Sequence, residues 1–171
     1  MGSVENQRPP LALYSLPALF RLWGRPWKFY LLKTFFFMTS TVIYKGALRT
    51  EATHLASSTT LLTDAPVDNQ GKGETFSPTD LVASALASCM LTIMGIKADA
   101  LGIDITETKV TVLKQMAAGP RRIAALSIDL YLPRSFEDKT KRLLERAALN
   151  CPVAKSLAPK LKQDVRFHWP D

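Results

Sequence analysis

The stretch from Ser77 to Gly102 constrains this chain more than any other. Ser77 offers an N-cap hydroxyl, Pro78 stands where a helix needs no backbone donor, and Asp80 completes a capping-box-like start with a carboxylate near the positive helix end. The helix so opened is expected to run to about Ala100, with Gly102 as its stop. Ala83, Ala85 and Ala87 mix there with Leu81, Leu86, Leu91 and Ile93, so the helix is apolar on much of its circumference. Such a helix belongs in a core, and the rest of the fold must supply what covers it.

On both sides of it the pattern changes to strands. Residues 41–44 are β-branched and aromatic, Gly46 marks a turn or bulge, and residues 47–54 and 57–63 continue an opening meander. Residues 64–75 form a polar loop carrying Pro66, Gly71 and Gly73. After the helix, two strands are expected over 105–116 and 121–132, joined at Ala118, Gly119 and Pro120. In the second of them Leu126, Ile128, Leu130 and Leu132 alternate with Ser127, Asp129 and Tyr131, the pattern of a half-buried strand. Ser135 and Asp138 resemble another capping box, opening a helix over 136–149 with an apolar stripe of Leu143, Leu144, Ala147 and Ala148. Its charged face, Glu137, Lys139, Lys141 and Glu145, reads as solubility. A short Cys-Pro helix and a closing strand follow, in which Val165, Phe167 and Trp169 alternate with Arg166 and an outward His168. The body is therefore expected to be α+β, of single-domain length at 171 residues and with 47% hydrophobic content to build its core.

The formal charge of +7 suggests a polyanionic partner, but its distribution argues otherwise. Residues 1–37 hold Arg8, Arg21, Arg25, Lys28 and Lys33 against Glu5, five positive charges less one, which is +4 and leaves +3 for the body. That body shows neither a dense basic stripe nor a nucleic-acid-binding motif, so no nucleic-acid partner is expected. No membrane partner is expected for it either. The leader contains Pro9, Pro10, Pro17 and Pro26 and an aromatic-rich run from Trp23 to Phe37, without strand alternation. Lys33 interrupts its apolar stretch well short of the ~20 residues of a spanning helix, and the order of its basic and apolar parts is not that of a secretory signal. A transit peptide or an interfacial anchor are alternatives; the reading adopted is that the domain spans 38–171, with translation starting at Met38 and 1–37 a mis-assigned or disordered extension.

Two cysteines remain, Cys89 deep in the apolar helix and Cys151 directly before Pro152. A closed structural zinc site takes four ligands at short spacings, and neither His54 nor His168 lies near a thiol in sequence, so no metal is expected. The thiols are then either two small buried hydrophobes or a redox couple. Local reasoning makes Cys151, at a helix start, the more acidic of the two, whereas Cys89 lies beyond the first turn and among apolar side chains.

The residues around both thiols carry a resemblance that pulls the balance toward the redox couple. The run from Phe76 through Ser77, Pro78, Thr79, Asp80 and Leu81 to Cys89 and Met90, followed by Asn150-Cys-Pro-Val-Ala-Lys-Ser156, resembles the OsmC/Ohr family of osmotically inducible and organic hydroperoxide resistance proteins. The similarity extends from about Thr39 to the C-terminus. It implies an OsmC-like fold in which two central helices are wrapped by antiparallel β-sheets from two subunits of an intertwined, cytoplasmic homodimer. It also implies that Cys89 attacks an organic hydroperoxide, that Cys151 resolves the product as a disulfide, and that an external dithiol, lipoyl-type as in the family, reduces it; no cofactor is needed. Family peroxidases hold the attacking thiolate with an arginine after the first strand, a place that Arg49 fills here, although alone it reads as an ordinary strand residue. They carry Asn-Pro-Glu where this chain has Ser77, Pro78 and Thr79, so the glutamate that orients the arginine is missing. Asp80, about 100° further round the helix, reads as a cap and no substitute. A non-catalytic dimeric stress or ligand-binding protein is the competing expectation, and a redox sensor a third.

Overall fold

The computed structural model describes residues 38–171, so the expectation for the leader lies outside the described residues. Two three-stranded sheets and three helices make up the domain. The first sheet is a meander of β1 (Ser40–Gly46), β2 (Arg49–His54) and β3 (Thr60–Asp64), antiparallel throughout. A loop containing a short 3-10 turn leads from it to α1 (Pro78–Leu101).

The ends of α1 follow from the residues that mark them. The Ser77 hydroxyl accepts the Asp80 N–H at 3.1 Å, the Asp80 carboxylate accepts the Ser77 N–H at 2.8 Å, and Pro78 opens the first turn. Gly102 ends the helix in the left-handed region, φ 66°, where a side chain would be strained. Ala83, Leu86, Ala87, Met90, Met94 and Ala98 form its buried face. Their spacing is that of one helical stripe, and full burial of Leu86, Met90 and Met94 stabilises the fold by about 1.5–3 kcal/mol each.

That stripe packs on the second sheet and on the helix after it. Strand β4 (Lys109–Ala118) pairs antiparallel with β5 (Arg121–Tyr131). From β5, Leu126, Ile128 and Leu130 enter the core together with Leu132 just beyond it. Helix α2 (Asp138–Leu149) adds Leu144 and Ala148, the short α3 (Pro152–Ser156) follows, and β6 (Lys162–His168) closes the sheet beside β5.

The α+β expectation holds, with two corrections. β6 runs parallel to β5, because α2 and α3 carry the chain back across the sheet so that the last strand starts from the same end as β5. The sheets are thus not wholly antiparallel. The N-cap of α2 is Glu137 rather than Ser135, and no side chain caps it there.

Unlike the second sheet, the meander is not covered by any other element among the described residues. Val42 and Tyr44 are each 63% exposed on one face and Ile43 is 56% exposed on the other. In β3, Leu61 and Leu62 continue these two apolar faces, and both are exposed.

Candidate functional site

The fold brings the two cysteines together. α1 carries Cys89 beside its buried stripe, and α2 packs along the same helix and delivers Cys151 at the N-cap of α3. Both are free thiols. Cys89 is half-buried, whereas Cys151 has no exposed surface and its sulfur accepts the Ala154 N–H at 3.4 Å. Burial pushes the Cys151 thiol pKa up, the Ala154 N–H pulls it back in part, and the adjacent Cys89 thiol adds to the rise. The hydrogen bond expected from a helix start is present, but desolvation outweighs it. Local reasoning from the helix start therefore missed the burial that raises the Cys151 thiol pKa and makes it the harder of the two to reach.

Arg49 stands elsewhere in the single chain. It opens β2 opposite Asp64 of β3, and its guanidinium donates from Nε to Asp64 Oδ1 at 2.6 Å and from Nη2 to Asp64 Oδ2 at 2.7 Å. A third bond goes from Nη2 to Glu74 in the loop, and the Glu74 N–H is itself held by Asp64 at 3.1 Å. These bonds raise the Arg49 pKa, and the same guanidinium holds the Asp64 carboxyl below the usual carboxylate range. The family's orienting glutamate is missing, yet two other carboxylates anchor Arg49. Its hydrogen-bond partners are those carboxylates and not a thiol.

The position of the missing glutamate is occupied by a different contact. Thr79 Oγ1 accepts from Lys114 Nζ at 2.7 Å, and the same ammonium pairs with Asp80 Oδ1 at 2.6 Å. Burial pushes the Asp80 carboxyl up, but Lys114 and Ser77 outweigh it and leave its pKa lowered. Asp80 is a cap, as expected, and also an ion-pair partner. Lys114 went unnoticed in the sequence, although it interrupts the inward set Val110, Val112 and Met116 of β4 and is the one charge among them. A cavity of about 340 Å³ between the meander and the start of α1 is walled by Tyr44, Leu48, Thr50, Pro78, Thr79 and Met116, with neither cysteine in its lining. Among the described residues no group of three His, Cys, Asp or Glu is placed to hold a metal ion. His168 lies outward as expected, stacked on Tyr131 and bonded to Asp129 at 2.8 Å.

Comparison with known proteins bears on this arrangement directly. The family described as OsmC-like protein matches residues 71–166, which hold both cysteines and the helices that join them. The chain belongs to the OsmC-like family. A solved structure from Psychrobacter arcticus 273-4, described as an osmotic stress induced and detoxification response protein, is 54% identical, with a TM-score of 0.75 over 77% of this chain and 96% of that one. An organic hydroperoxide resistance protein OsmC from Legionella pneumophila shares the fold at 15% identity, TM-score 0.62, over 77% and 98% of the two chains. An OsmC-like protein from Mycoplasma pneumoniae does so at 20% identity, TM-score 0.62, over 77% and 96%. No curated protein matches the chain. The OsmC-like fold is thus common to this chain and to proteins named for osmotic stress and for hydroperoxide resistance.

Proposed function

We propose that this OsmC-like protein is a thiol peroxidase that reduces organic hydroperoxides through Cys89 and Cys151. The observation that carries the proposal is the pairing of an accessible thiol with a buried one, side by side, each in its family motif. The Cys89 thiolate attacks the terminal oxygen of the hydroperoxide. The O–O bond breaks, the alkoxide leaves and takes a proton to become the alcohol, and Cys89 becomes a sulfenic acid. The Cys151 sulfur then attacks the Cys89 sulfur, water leaves, and a disulfide joins the two. A dithiol of lipoyl type restores both thiols and is itself oxidised to a disulfide. The Legionella protein that shares the fold is named for organic hydroperoxide resistance, which supports the substrate class by analogy of fold.

The proposal includes a cytoplasmic homodimer. A three-stranded sheet with apolar residues exposed on both faces is a poor end state for a lone chain, and Ile96 on α1 is likewise 61% exposed. A second copy would cover these surfaces. Arg49 enters the proposal through the same assembly, as the cation that steadies the Cys89 thiolate once a partner covers its sheet.

One observation favours a second reading, a non-catalytic stress or ligand-binding dimer: the Arg49 guanidinium is already paired with two carboxylates, Asp64 and Glu74. One equivalent of cumene hydroperoxide separates the two. The peroxidase loses both thiols and yields one equivalent of cumyl alcohol; retention of both thiols over the same period would leave the non-catalytic reading.

A further inference from the structure

Resting on the thiol-pair reading above, we infer that the dithiol reductant attacks the sulfur of Cys89, so that Cys151 is the group that leaves and the mixed disulfide forms on α1. Thiol–disulfide exchange is an in-line displacement. The incoming sulfur must reach one disulfide sulfur from the side opposite the other. In the single chain Cys89 is half-buried, and its neighbours Ala85, Ser88 and Thr92 on α1 are exposed. Cys151 has no exposed surface and belongs to the core cluster with Leu144 and Ala148, its sulfur accepting the Ala154 N–H from the first turn of α3. The Cys89 thiol adjoins that of Cys151 in the same core cluster. Peroxide must reach the Cys89 sulfur for the cycle to begin, and the reductant meets the same exposed part of that side chain.

The exchange balances as follows. A reductant thiolate forms a bond to the Cys89 sulfur, the Cys89–Cys151 bond breaks, and the electron pair stays on Cys151, which takes a proton. The second thiol of the reductant then attacks the reductant sulfur of the mixed disulfide, closing a cyclic disulfide and releasing Cys89 as thiolate. Two electrons pass from reductant to protein.

Burial opposes this route in one respect, because a thiol that ionises with difficulty leaves slowly. Access outweighs it: a poor leaving group slows the displacement, whereas a sulfur with no exposed surface cannot be attacked without unfolding around it. The Ala154 N–H, donated to the Cys151 sulfur, receives the charge as it arrives.

Diamide oxidation of the full chain tests this without relying on peroxide chemistry. The disulfide so formed is treated with 2-mercaptoethanol, quenched in acid within the first fraction of the reaction, and digested for mass spectrometry with the free thiol alkylated. The expected result is the mercaptoethanol adduct on Cys89 and the alkyl group on Cys151, in about tenfold or greater excess over the reverse, since the buried sulfur reacts only through opened molecules. Adducts mainly on Cys151, or equally on both, would overturn the inference while leaving the thiol pair standing. Failure of diamide to join the two thiols would overturn both.

Discussion

Asp64 holds the Arg49 guanidinium with both carboxylate oxygens, at 2.6 and 2.7 Å, from a side chain only 2% exposed. Two-pronged pairing of this kind fixes the plane of the guanidinium as well as its position. The sheet register makes it: Arg49 and Asp64 are direct partners of β2 and β3, and the same carboxylate accepts the Glu74 N–H and so ties the following loop to the strand.

Replacing Asp64 by Asn should therefore lower the thermal midpoint at neutral pH. The sign of the pH dependence follows from the depressed Asp64 pKa. A carboxyl held lower in the folded chain than its unfolded value of about 3.9 contributes stability above that value and loses it as pH falls through the folded pKa. The gap in melting temperature between the native protein and Asp64→Asn should be widest near pH 7 and should narrow below about pH 4. A gap that stays constant down to pH 2 would mean that the pair is not what the substitution removes.

Thr79→Glu tests whether the motif glutamate has been replaced. Thr79 already meets Lys114, and Arg49 is already anchored, so the new carboxylate should pair with Lys114. In double-mutant cycles on stability, Thr79→Glu should couple with Lys114→Met and should be additive with Arg49→Ala to within about 0.5 kcal/mol. Coupling to Arg49 and none to Lys114 would restore the family arrangement.

These residues mark where the sequence was legible. The bounds of α1 could be read because Ser77, Pro78, Asp80 and Gly102 act on their own neighbours, and β5 because Leu126, Ile128 and Leu130 alternate over a long run. The partners of Arg49 could not, since Asp64 is brought to it by strand register and Glu74 by a loop. Nor could the parallel placement of β6, which depends on how two helices cross the sheet. The raised pKa of Cys151 was hidden for the same reason: a cap is local, whereas burial is set by Leu144, Ala148 and α1, which arrive from elsewhere in the chain.

Ile128 stands at the centre of β5 with no exposed surface. Ile128→Ala should cost about 2–5 kcal/mol through lost burial and the cavity left behind. Denaturant unfolding gives this value; a loss below about 1 kcal/mol would show that the second sheet is not the centre of the core.

Sedimentation tests the proposed dimer. The native chain should sediment at twice its 19.0 kDa mass. Val42→Asp combined with Leu61→Asp, on one exposed face of the meander, should shift it to the single-chain mass with the secondary structure intact. A native protein that sediments as a single chain at micromolar concentration would contradict the assembly.

The central claim is that Cys89 is the thiol that meets the hydroperoxide. Dimedone labelling of the single-cysteine variants after one equivalent of cumene hydroperoxide measures this, with the labelled residue identified by mass spectrometry. Cys151→Ser should accumulate sulfenic acid on Cys89 and over-oxidise with further peroxide, while Cys89→Ser should consume no peroxide and take no label. Sulfenic acid on Cys151 in the Cys89→Ser protein would reverse the two roles and contradict the account.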